Sequence, residues 1–417
     1  MSVLANGSRA LAHRNYRLFF VGQLISLIGM WMQQVAQAWL VLQITGDPFL
    51  LGLTAAVQFL PVMVLGLFGG LIADVLPKRP TLIATQVVQM ALAFILFGLT
   101  AAGVVEVWHI LVLAALLGIT NAVDMPTRLS FVVEMVGRRD VANAVALNSA
   151  VFNGARIVGP AIAGLAIGAF DISIAFLING LTFLAVIFAY ALMRETELDS
   201  PPMLDRPHTV RDVGRTLAEG IRYVRRTDLV LLATVVVGLV CLFGMNFSVI
   251  IPAFAQDVLH TDAAGYGFLM AASGIGSLIA ALSIAFSGRS TPAMIAGGAL
   301  LLGVAEIAAA ALHLFPLALL AMGLMGFGAI AMAATANTTI QLAVPDELRG
   351  RVMSVYTTVF VGSAPIGGLL MGWIASRFGA DVSLAVGGVA CALLGVFAFW
   401  WLRRIPLVPV LREAALT

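Results

Sequence analysis

Apolar runs of about twenty residues or more follow one another along the chain, separated by short polar turns. The first runs from about Leu18 to Leu42 and closes at Thr45–Gly46–Asp47–Pro48. The second, from about Leu50 to Ala73, stops at Asp74 and is followed by Pro77–Lys78–Arg79–Pro80. A third spans about Thr81 to Ala102, and a fourth begins after Glu106 and reaches Asn121 to Arg128, where Pro126 is predicted to end or kink it. The runs are continuous rather than alternating, which fits helices better than barrel strands. There is room for about twelve spans. Between Arg194 and Asp228 the composition changes to prolines and alternating charges, and Val210 to Arg226 has the spacing of a helix lying at a membrane surface. The predicted division is a first bundle at 1–193, a cytoplasmic linker at 194–228, a second bundle at 229–404 and a tail at 405–417.

Composition places the chain in a membrane. Hydrophobic residues make up 61% and charged ones 11%, with a mean hydropathy of +1.03, whereas soluble domains carry roughly 25% charge. The few charges are sorted by side. Arg9, Arg14, Arg17, Lys78, Arg79, Arg128, Arg138, Arg139, the basic residues between Arg194 and Arg226, and Arg289, Arg349, Arg351, Arg403, Arg404 and Arg412 fall on one side if the spans alternate. The opposite turns hold Asp47, Glu106, Asp171, Asp257, Asp262 and Asp381, with Arg377 as their cation. The positive-inside rule then puts both termini and the linker in the cytoplasm. No cleavable signal peptide is expected, because the start is polar and the first run is too long.

The same composition narrows the function. A net charge of +2 gives no basis for nucleic-acid binding. Cys241 and Cys391 lie inside apolar spans and read as small buried side chains. The five histidines are scattered over termini and loops, and no metal-ligand cluster, nucleophile motif or phosphate loop is present, so neither a metal, a cofactor nor an enzymatic activity is expected.

The second half echoes the first. Thr261 to Gly267 parallels Thr45 to Gly52, Gly276–Ser277–Leu278–Ile279–Ala280 parallels Gly69–Gly70–Leu71–Ile72–Ala73, and Ser363 to Gly368 parallels Gly159 to Gly164. The shared offset of about 205 to 215 residues is that of two parallel repeats. The second copy of the turn lacks the acid, since Leu282 to Arg289 holds no carboxylate.

Polar groups inside apolar spans are costly and mark cavities, helix seams or ion paths. Gln23, Ser26, Met30, Gln34 and Gln37 share one sector of the first span, with Gln33 at its edge, and with Trp31 they are read as cavity lining. Asn121 in the fourth span, Asn246 in the seventh, and Asn337 and Gln341 in the tenth are further cavity contacts. Arg156 needs a counter-ion, and Asp124 is the nearest in sequence logic, with Glu134 a more superficial alternative. Either a fixed gate-stabilising pair or a proton-coupling role fits Asp124 and Arg156. Glu306, the deepest acid of the second half, has the same two readings.

Two motifs add a resemblance. Gly70 and Asp74 followed by Lys78 and Arg79 resemble the loop 2–3 signature of the major facilitator superfamily, a conformational latch, although Val75 and Pro77 stand where that family usually has Arg and Gly. Gly154, Gly159, Pro160 and Gly164 resemble its fifth-helix antiporter signature, with Ala163 replacing one glycine. Asn15–Tyr16–Arg17–Leu18–Phe19, Ala155 to Ala161 and Pro345 to Arg351 are similar to the bacterial branch holding the enterobactin exporter and macrolide-efflux proteins. The resemblance implies an all-α membrane protein of twelve helices in two pseudo-symmetric six-helix bundles, working as a monomer in the bacterial inner membrane. It further implies export of amphipathic small molecules from the cytoplasm or inner leaflet, driven by proton antiport through alternating access. A lipid or lysolipid flippase of the same fold and a non-transporting receptor are the alternatives. The partners expected are the cargo, protons and membrane lipids.

Overall fold

Short turns set the helix boundaries. The first helix, α1 (Arg14–Thr45), ends at Gly46, whose left-handed φ of 60° suits a residue without a Cβ and whose N–H caps the Leu42 carbonyl. Asp47 then accepts a hydrogen bond from the Phe49 N–H at 2.9 Å, at the start of α2 (Pro48–Val75). α3 (Lys78–Ala101) follows Pro77 directly. Glu106 and His109 cap each other's backbone at the start of the 63-residue run α4 (Val107–Ala169). Asp171 and Asp262 each accept a backbone N–H in the same manner, beside α5 (Ser173–Ala191) and α9 (Ala263–Ser287). The acids of these turns thus serve as helix caps as well as charges.

The run α4 is two helices in one, because Gly137 takes a non-helical φ of 66° and ψ of 168°. Pro126, where the sequence predicts an end or kink, lies inside the first arm, 107–136, so the helix does not end there, and the non-helical break falls at Gly137. After α5 come α6 (Val210–Arg226), α7 (Asp228–Phe243) and α8 (Phe247–Ala253), the last continued by a π turn at Phe254–Val258. Then follow α9, α10 (Ala293–Ala311), α11 (Phe315–Ala343), α12 (Asp346–Phe378) and α13 (Ala380–Leu402).

This computed structural model describes residues 9–199, 210–287 and 291–405, with backbone alone for 67–74, 210–217 and 287. The calls on 200–209, on Arg289 and on the tail beyond 405 therefore lie outside the described residues. Among the described residues there is no strand, and eleven helices are long and apolar enough to cross a membrane. Since α4 counts once but has two arms, they make twelve passes.

Contacts gather the chain into two units. The first comprises Met1–Gly46, Val57–Arg206 and Asp262–Ala271, and the second Asp47–Ala56, Pro207–Thr261 and Ala272–Thr417. In the first, Tyr16, Phe19, Leu82, Phe131, Met135, Val186 and Tyr190 form an aromatic core. The buried Tyr16 hydroxyl donates to the Ala144 carbonyl at 2.8 Å. In the second, helices meet backbone to backbone. A Cβ on Gly303 of α10 would collide with Gly388 and Ala392 of α13, and one on Gly388 would lie 2.7 Å from the Gly303 carbonyl. Apolar tails give no net gain for leaving lipid, so close packing between small residues is what holds such helices together. Large exposed side chains such as Leu129, Phe188 and Leu320 are what a lipid-facing surface requires.

Candidate functional site

The polar groups of the first unit fall into three layers. Outermost in sequence is a set of ties at the helix ends. Asn15, itself buried, donates to the Arg194 carbonyl at 2.8 Å and accepts the Arg194 N–H at 3.0 Å. Arg14 reaches the Leu192 carbonyl, and His13 pairs with Asp140 at 2.9 Å. Lys78 forms a short ion pair with Glu134, while Arg79 binds Glu195 and the carbonyls of Tyr190 and Ala191. The two cations of the latch motif are therefore engaged within the first unit. Of Gly70 and Asp74 only the backbone is described, so the surroundings of the Asp74 carboxyl lie outside the described residues.

Next comes a seam between α3 and the first arm of α4. Asp124 is 1% exposed and accepts hydrogen bonds from the Thr85 hydroxyl at 2.8 Å and the Gln86 amide at 2.9 Å. Arg128, one turn on, stands 3.5 Å from its other oxygen. Gln89 donates to Asn121 at 3.1 Å in the same seam. These donors compensate a buried carboxylate. Sequence reasoning passed over Thr85, Gln86 and Gln89, although their spacing puts them along one side of α3.

The third layer lies on α1. Gln33 accepts from Asn179 of α5 at 2.5 Å, so the edge residue of the stripe belongs to a helix seam. Gln34 and Gln37 are half-buried, Met30 is partly exposed, and Gln23 is buried with an oxygen that has no partner. Trp31 packs edge-to-face on Phe152 with centroids 5.6 Å apart. The Arg156 guanidinium lies 5.8 Å from the Trp31 ring centroid, a cation–π contact. Here the expectation for Arg156 needs correction. Asp124 is held by α3 and Arg128, Glu134 by Lys78, and among the described residues Arg156 has no ion pair.

The glycines of the fifth-helix motif differ in what they touch. A Cβ on Gly159 would sit 2.5 Å from Trp31 Cβ and 2.9 Å from the Ile28 carbonyl, so α1 meets the second arm of α4 there without side chains between. Gly164 packs on the backbone of Ala263 and Ala264, also within the first unit, while Gly154 faces open space. Pro160 is buried beside Gly159.

Glu306 of α10 is 1% exposed, and neither carboxyl oxygen meets a hydrogen-bond partner. Around it stand Gly244, Gly387, Gly388 and the Cys391 thiol, a weak donor at best. Gly244 begins the interruption between α7 and α8, so the carboxyl borders a broken helix. Asn246, in that interruption, is buried and donates back to the Leu242 carbonyl at 2.8 Å. Asn337 and Gln341 bond each other along α11, and Gln341 is exposed. Glu219 and Arg351 join α6 to α12 by a short ion pair. Among the described residues no group of three or more His, Cys, Asp or Glu side chains could hold a metal.

Comparison with known proteins gives the family and the fold. The profile of a family described as transmembrane secretion effector, of the major facilitator superfamily, matches residues 6–413. The multidrug efflux pump Tap of Mycolicibacterium fortuitum is 30% identical over 91% of this chain and 92% of its own. The staphyloferrin A transporter of Staphylococcus aureus is 24% identical over 94% and 97%. Among solved structures, a POT family transporter crystallised with a thioalcohol-conjugated peptide superposes with a TM-score of 0.76 at 12% identity, over 94% of this chain and 96% of that one. That likeness concerns the fold, twelve helices of the major facilitator type.

Proposed function

Given that the chain belongs to the transmembrane secretion effector family of major facilitator transporters, we propose that it exports amphipathic small molecules by exchange for protons. Cargo enters from the cytoplasm or inner leaflet, and alternating access of two bundles, 1–193 and 229–404, carries it across. Both termini face the cytoplasm, as the sorting of basic residues requires. It is a multi-pass membrane protein and a transporter rather than an enzyme. The cargo class is supported by the similarity, over nine-tenths of the chain, to a multidrug efflux pump and a siderophore transporter.

Glu306 carries the proton part of this reading. A carboxylate whose nearest donor is a thiol is expensive in an apolar niche, and the cost disappears when the group is a neutral acid. Glu306 is therefore the group we assign to take up the proton in one conformation and release it when the surrounding helices rearrange. Asp124 has the opposite setting, three donors around an anion, and serves to fix α3 against α4. The neighbouring break between α7 and α8 lacks a continuous ladder of helical bonds, which makes it the place where that rearrangement costs least.

The test is accumulation of a panel of amphipathic compounds in an efflux-deficient bacterial host, with and without a protonophore. The expected result is lower accumulation of some compounds when the protein is present, and loss of that difference with protonophore. Export that persists unchanged after the proton gradient is collapsed would overturn proton coupling. No difference for any compound would overturn export.

A further inference from the structure

Arg156 and Trp31 present hydrogen-bond donors and no acceptor. The guanidinium carries five N–H groups, and among the described residues no carboxylate pairs with it. Trp31 Nε1 is buried and has no acceptor. The carboxylates that could have paired with the arginine are engaged elsewhere, Asp124 by Thr85, Gln86 and Arg128, and Glu134 by Lys78. A half-buried cation in a membrane-spanning arm without a protein counter-ion is costly, and an anionic group beside it offsets that cost.

The surroundings define that anion further. The indole is held in place by Gly159, which lets the backbone of the second α4 arm come against Trp31 Cβ, and by the edge of Phe152. Phe152, whose ring meets Trp31, stays partly exposed at 44%, so apolar surface lies beside the charge. Gln34, one turn from Trp31 on α1, adds a neutral amide. A planar fork of donors beside aromatic surface matches a carboxylate on an apolar body.

We propose that Arg156 and Trp31 Nε1 form a subsite for the carboxylate of an amphipathic organic acid, so that acidic compounds are a preferred cargo class. The proposal rests on the export reading above and adds a substrate class to it. The phosphodiester of an anionic lipid offers the same charge and acceptors, and the experiment separates the two sources.

The probe pair is rhodamine B, which has a free carboxylate, and its ethyl ester, which does not. Binding is measured on the purified full-length chain in phosphatidylcholine nanodiscs. The wild type is expected to bind the acid roughly ten- to hundredfold more tightly than the ester, the range of a charge-assisted hydrogen-bonded pair. That ratio should collapse to near one in Arg156→Gln, survive in part in Arg156→Lys, and fall several-fold in Trp31→Phe, which keeps the stacking and removes the N–H. Size-exclusion profiles confirm that each variant is folded. Equal binding of both probes by the wild type, no binding of either, or an unchanged ratio in Arg156→Gln overturns the proposal. Displacement of the acid by phosphatidylglycerol nanodiscs from the wild type but not from Arg156→Lys overturns the assignment to cargo in favour of a lipid headgroup.

Efflux from cells separates this proposal from the reading it rests on. Protonophore-sensitive export of both probes, with an acid-to-ester ratio that falls at least tenfold in Arg156→Gln, supports the subsite. An equal loss of both exports in a folded Arg156→Gln places the guanidinium in the conformational cycle and overturns it. If the wild type exports neither probe nor any compound of the panel, export fails while the binding ratio still decides the subsite.

Discussion

Replacing Gly159 by alanine tests whether α1 and the second arm of α4 touch through their backbones at Trp31. The added Cβ would lie 2.5 Å from Trp31 Cβ, about 0.9 Å inside the 3.4 Å at which ordinary contact begins, and 2.9 Å from the Ile28 carbonyl. Neither neighbour is the end of a flexible chain, so the helices themselves must separate. Overpacking of this kind costs about 1–3 kcal/mol, against which alanine gains about 1 kcal/mol of helix propensity. Gly154→Ala, five positions earlier on the same arm, has nothing within 4 Å of its Cβ and gains the same propensity without a clash. Subtracting one variant from the other removes the propensity and leaves the clash, so Gly159→Ala should be less stable than Gly154→Ala by about 1–3 kcal/mol. The assay is the unfolding midpoint of both purified proteins in one detergent. The indole should shift as well, seen as a change in Trp31 fluorescence relative to a Trp31→Phe background. Equal midpoints for the two variants would refute the close approach and, with it, the placement of Trp31 against Arg156.

Three further outcomes follow from other contacts. Glu306→Gln should abolish cargo exchange driven by a pH gradient in proteoliposomes while leaving cargo binding measurable, whereas Asp124→Asn should lower the unfolding midpoint by weakening the Thr85, Gln86 and Arg128 contacts; exchange by Glu306→Gln at the wild-type rate would remove the proton from that site. Asn15→Ala removes the partner of the Arg194 N–H and one of the two donors to its carbonyl, which also accepts the Glu197 N–H, at about 1 kcal/mol, read as a lower midpoint and faster proteolysis after residue 194. Gly303→Ala should destabilise the protein, because the new Cβ meets only backbone of Gly388 and Ala392, while Gly297→Ala, with Phe399 at 3.8 Å, should not; similar midpoints for the two would refute the packing of α10 on α13.

Much of the fold could be read from the chain because membrane helices are specified locally. Thr45–Gly46–Asp47–Pro48 is a turn whose glycine takes the left-handed conformation, and Val210–Arg226 forms the helix its spacing predicts. The site was less legible. Pro126 looked like the place where the fourth span ends, yet a proline can be carried inside a packed helix, and the break between the two arms uses the positive φ that Gly137 supplies. Thr85 and Gln86 are unremarkable in sequence, and only the packing of α3 on α4 brings them to Asp124, 39 and 38 residues away.

The sequence by itself determined that the chain enters a membrane, roughly how many times, and which few residues carry charge there, since the transfer cost of each segment depends on its own side chains. Tertiary structure decided how those charges are partnered. It gave Asp124 to Thr85 and Gln86, set Arg156 over Trp31 in place of the expected carboxylate, and left Glu306 among glycines and a thiol. Which face one helix turns to another is fixed by the sum of backbone contacts along its length, and that sum cannot be read from any single span.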